Sequence, residues 1–76
     1  MNKQRRAAIN ALISKLEELK EEVEAIMDEE QEAFDNLPES FQMSERGEAM
    51  EEAISNLDDA LNDLDEVIGS LDLAME

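Results

Sequence analysis

Carboxylates are the only side chains present in sufficient number to do chemistry here: the chain has 22 Asp and Glu, six Lys and Arg, and no His or Cys. Adjacent pairs such as Asp58 and Asp59 suggest either general acid–base work or coordination of a hard cation. Neither fits the surrounding residues. The run from Asp58 to Glu66 lies inside an apolar repeat and lacks the central glycine of a calcium-binding loop. A carboxylate-bridged dimetal bundle also needs histidines, which are missing. Disulfides and thiolate or imidazole metal sites are excluded in the same way. With no Ser-His or Cys-His pair and no Gly-rich phosphate loop, an enzyme is not expected. No catalytic, cofactor-binding or metal-binding residue is assigned.

What so many carboxylates can do is act together. The formal net charge is -16, well beyond the magnitude of about 2 to 8 usual for a small soluble domain. Residues 21–60 hold 15 acidic side chains and one basic one, Arg46, for a net of -14. Nucleic acid is therefore a poor partner. On helices, carboxylates three or four residues apart stand about 5 to 6 Å from each other, a spacing comparable in scale to successive phosphates of a nucleic-acid strand. The candidate partner-binding set is Glu21, Asp28, Asp35, Glu45, Glu51, Glu52, Asp58, Asp59, Asp65 and Glu66. Charged outward positions are normal in coiled coils, but those ordinarily mix Lys with Glu, and a single sign calls for another explanation.

Two helices are expected to carry these groups. From Ile54 to Ala74 the chain reads as three heptads, ISNLDDA, LNDLDEV and IGSLDLA, with apolar residues alternating by four and three. The first half has a similar seam at Ile9, Leu12, Leu16, Leu19, Val23 and Ile26, continuing through Glu30 and Ala33 to Leu37. Pro38 ends the first helix, since it lacks an N–H and disfavours helical backbone at Leu37. Ser44 is a suitable N-cap for the second, with Glu45 and Glu48 in its first turn. The expected elements are a helix over about 3–35, a turn with a short helical stretch over about 36–44, and a helix over about 45–74, all one domain.

Folding the chain back at residue 40 pairs Ile9 with Leu71, Leu12 with Ile68, Leu16 with Leu64, Leu19 with Leu61, Val23 with Leu57 and Ile26 with Ile54. Every pair is apolar, so the fold class is all-α, an antiparallel two-helix coiled-coil hairpin. Small residues, Ala33 and Gly47, occupy a layer near the turn, and Lys3, Arg5 and Arg6 fall beside Asp72 and Glu76. Ile13, Met27 and Phe34 on one helix and Ala53, Ala60 and Val67 on the other are left as flanks. A core this small rarely supplies more than roughly 3 to 5 kcal/mol unaided. These flanks are therefore expected to form a homodimer, a four-helix bundle.

The segment EEQEAFDNLPESFQMSERGEAMEEAISNLDDALNDLDEVIGSL, Glu29 to Leu71, resembles small acidic coiled-coil proteins encoded by phages and prophages of Gram-positive bacteria. Its most specific feature is the turn, NLPES followed by SERGE. The resemblance implies a viral setting, in the cytoplasm of a bacterial host, and no assigned activity. By analogy with short acidic phage proteins that disarm host defences, the expected function is inhibition of a host nucleic-acid-binding defence enzyme, such as a nuclease, by DNA mimicry: the acidic rod occupies its basic groove. The alternative is a structural or assembly adaptor that binds another helical protein through its apolar flanks. The absence of any long apolar run and the amphipathic stretch after MNKQRR argue against a membrane span or a secretory signal.

Overall fold

The computed structural model describes residues 1–76 and consists of three helices, α1 (Lys3–Asp35), α2 (Glu39–Gln42) and α3 (Glu45–Ala74). α1 and α3 run antiparallel and pack along their length, giving an elongated body of 58 × 15 × 11 Å. No helix is long and apolar enough to cross a membrane.

Local chemistry sets the helix ends. The Asn2 side chain accepts a hydrogen bond from the backbone N–H of Arg5 at 2.8 Å and caps α1. At the other end Pro38 takes φ -57° and ψ 147°, an extended conformation that stops the helix, and its carbonyl accepts from the N–H groups of Phe41 and Gln42 to start α2. Gln42 then reaches back, its Nε2 donating to the carbonyl oxygens of Phe34 and Leu37, each at 3.1 Å. The Phe34 carbonyl also accepts from the Leu37 N–H at 3.0 Å, so Gln42 is its second donor and ties the end of α1 to the turn. Ser44 has extended backbone and caps α3; its hydroxyl oxygen accepts from the Gly47 N–H at 3.5 Å, and its O–H donates to the Phe41 carbonyl.

Gly47 is the tightest point of the turn. A Cβ built there would lie 2.0 Å from the Gln42 carbonyl oxygen and 2.5 Å from its carbonyl carbon. Only glycine lets α3 start so close to the backbone of α2. Ala33, the other small residue expected in this layer, is exposed, as is Met43.

The seam differs from the sequence expectation on one helix. The α3 face that turns inward is the expected one, including Met50, Ile54, Leu57, Leu61, Leu64, Ile68 and Leu71. On α1 the covered residues are Ile9, Ile13, Leu16, Lys20, Val23, Met27, Glu30 and Phe34, alternating by four and three, with Leu37 just beyond its end continuing the line. Leu12, Leu19 and Ile26, expected inside, stay 49%, 49% and 55% exposed. Ile13, Met27 and Phe34, expected on a free flank, instead face α3: Ile13 is buried at 9% and the other two are half-buried. The reason is a rotation of α1 about its axis. Its apolar arc is about 100° wide, more than one partner helix covers, and the bulkier side chains near the turn, Met27 and Phe34, are those drawn in. The buried apolar core is just Ile13 and Leu61, and neither is fully sealed from solvent.

Candidate functional site

The rotation of α1 gives the hairpin two unlike flanks, and Lys20 marks which is which. Its ammonium donates to a carboxylate oxygen of Asp65 across the hairpin, the single ion pair of the molecule. The hydrogen bond to Asp65 raises the Lys20 pKa above its ordinary value; desolvation opposes it, and the negative charges of Asp65, Glu24 and Glu17 add to the rise. Around this contact the periodicity of the two helices gathers one acidic flank. Glu21, Asp28 and Asp35 lie on its α1 side, and Glu51, Asp58 and Asp65 on its α3 side.

All ten carboxylates of the candidate set are exposed. Two of them have side-chain partners: Asp65 holds Lys20, and Asp35 accepts from Gln31 Nε2 at 3.0 Å. Glu45, Glu52, Asp59 and Glu66 follow the outer ridge of α3, seven residues or about 10.5 Å apart. At the free ends Lys3, Arg5 and Arg6 make no ion pair with Asp72 or Glu76, so their proximity adds long-range attraction only.

On the opposite flank, Leu12, Leu19 and Ile26 of α1 lie level with Val67, Ala60 and Ala53 of α3. Val67 is 46% exposed, while Ala53 and Ala60 are half-buried against the seam. Sequence reasoning placed the first three in the core. The available signal was the presence of two overlapping apolar stripes on α1, one through Leu12, Leu19 and Ile26 and one through Ile13, Met27 and Phe34, of which a single neighbour covers one.

The surface hollows are open grooves on helix exteriors, one around Leu19, Lys15 and Glu22 and one around Val67, Asp63 and Glu66. The carboxylates nowhere converge into a group able to hold a metal ion. A row of exposed single-sign charges provides long-range attraction and a repulsive barrier to acidic surfaces. No protein-family model, curated protein sequence or solved structure matches the chain.

Proposed function

We propose that the protein is a non-enzymatic binding protein whose acidic flank and outer ridge occupy a basic, nucleic-acid-binding groove on another protein, in the manner of a DNA mimic. The observation that carries this reading is the near-single sign of residues 21–60, 15 carboxylates against Arg46 alone, on a rod with one cross-helix ion pair. A rod with fixed charges meets a groove built for phosphates without reorganising, and its field speeds the encounter. The viral setting implied by the resemblance makes a host defence nuclease, met in the bacterial cytoplasm, the natural target. The acting unit in this reading is a homodimer, two hairpins in a four-helix bundle with carboxylates on both outer sides.

A second reading rests on the exposed stripe of Leu12, Leu19 and Ile26. An adaptor would use that stripe to dock a helix of another protein, by the helix-in-groove mode.

Capture of host proteins on the immobilised chain separates the two. Reversing Glu52, Asp59 and Glu66 to Lys should abolish capture of a nucleic-acid-binding protein, and duplex DNA should compete with it. If capture survives charge reversal and is lost when Leu12 and Ile26 are made polar, the adaptor reading replaces the mimic.

A further inference from the structure

We infer that the apolar flank is the dimer interface and that the second copy packs against it head to tail, with the turn of each hairpin beside the chain ends of the other. This deepens the homodimer of the preceding section and does not depend on what the acidic flank binds.

Surface area supports the need for a partner on this flank. The hairpin exposes 5687 Å². A folded monomer of 8.6 kDa is expected to expose about 4,700 Å². The excess, about 1,000 Å², matches the roughly 800 Å² that each partner contributes to a standard stable interface. With two buried apolar side chains, the isolated hairpin is also short of the core that a chain of this size needs. A second copy supplies both.

The stripe has the symmetry of a self-complementary surface. Leu19 stands at the middle of α1, and Leu12 and Ile26 lie seven residues to either side. On α3, Ala60 has Val67 and Ala53 at the same spacing. A twofold axis across the hairpins through the Leu19 and Ala60 level puts α1 against the α1 of its partner, antiparallel. Leu19 then meets the partner's Leu19, Leu12 meets the partner's Ile26, and Val67 meets the partner's Ala53. Large residues face large ones along α1, while the small Ala60 lets the two α3 helices approach.

Charge selects this orientation over the other. A twofold axis along the rod would stack turn on turn and bring together two halves that each carry -14. Head-to-tail packing separates those halves and lays each one against chain ends of nearly balanced charge. It also sets Lys15 beside Glu22 of the partner subunit, since these two residues bracket Leu19 on the same edge of α1. The acidic flanks then face outward on both sides of the dimer.

Sedimentation and pulsed electron spin resonance on the full chain, spin-labelled at Ser40→Cys in the exposed turn, test the proposal. Sedimentation should give twice 8.6 kDa. The two labels should be separated by a distance approaching the 58 Å length of the rod. Turn-to-turn packing would instead place them within roughly 25 Å, about the width of a four-helix bundle with helices 8 to 10 Å apart; that result would overturn the orientation and leave the dimer standing. A monomer at high micromolar concentration would overturn both. Leu19→Lys should abolish the dimer, whereas Leu73→Lys, which changes an exposed leucine off the stripe, should leave it intact. A dimer that survives Leu19→Lys moves the interface elsewhere. If Leu19→Lys loses its helices altogether, the label distance in the Ser40→Cys chain decides the question alone.

Discussion

Lys20 of α1 and Asp65 of α3 form the one ion pair of this protein, and they do so from opposite arms of the hairpin, 45 residues apart in sequence. Lys20 occupies a seam position between Leu16 and Val23, where its stem lies along the interface while its ammonium reaches the edge. The pair therefore reports the rotation of α1: with Leu19 in the seam, Lys20 would sit farther out on the flank.

Asp65→Asn should lower the melting temperature at neutral pH in low salt. Because the folded-state pKa of Lys20 is raised above its ordinary 10.5, the contribution of this pair is fully present below that value and fades as pH rises through the folded pKa. The deficit of the variant should accordingly be constant from pH 6 to 9 and vanish at strongly alkaline pH. Thermal melts of both chains across that range, followed by circular dichroism, test the linkage; a deficit that persists when Lys20 is neutral would remove the ion pair as its cause.

The two glycines should respond oppositely to alanine. Gly47→Ala puts a methyl group 2.0 Å from the Gln42 carbonyl oxygen, against backbone that cannot swing away, and should cost about 1 to 3 kcal/mol. Gly69 faces open space on the outside of α3, so Gly69→Ala should stabilise by about 1 kcal/mol. For a domain this size each kcal/mol corresponds to a shift of about 4 to 8 °C in melting temperature. Equal melting temperatures for the two variants would contradict the close approach at the turn.

Adjacent residues Leu12 and Ile13 provide the sharpest test of the seam. Ile13→Asp places an unpaired charge in the most buried part of α1 and should abolish helical structure. Leu12→Asp, at a half-exposed position, should preserve the helices at high protein concentration while weakening self-association. If Leu12→Asp unfolds the chain and Ile13→Asp is tolerated, α1 is rotated the other way.

Salt should act in opposite senses on fold and function. Screening the 15 carboxylates of residues 21–60 from one another should raise the melting temperature between about 50 and 500 mM salt, over which the screening length falls roughly threefold. The same screening should weaken binding to a basic groove. Calorimetric titration against the captured partner over that range checks the second half, and an affinity indifferent to salt would count against electrostatic recognition.

Much of the architecture is legible in the chain because it is written in local chemistry. Pro38 stops α1 wherever the rest of the chain goes, and Ser44 with Glu45 and Glu48 starts α3. The heptads of α3 offer one apolar stripe, so its inward face could be read directly. The carboxylates, too polar to bury and without enough cations to pair with, went to the surface, with Glu30 half-covered in the seam.

The rotation of α1 was not legible, because apolar residues at Leu12 and Ile13, and again at Ile26 and Met27, satisfy a four-and-three alternation equally well. Periodicity measures how often a face recurs, and two faces about 100° apart recur alike. Only packing broke the tie, through the bulk of Met27 and Phe34, the hydrogen bonds of Gln42 that fix the end of α1, and the reach of Lys20 to Asp65. Sequence thus determined that this protein is a pair of acidic antiparallel helices. Tertiary structure decided which leucines were left outside, because a single neighbouring helix can cover one stripe and α1 has two.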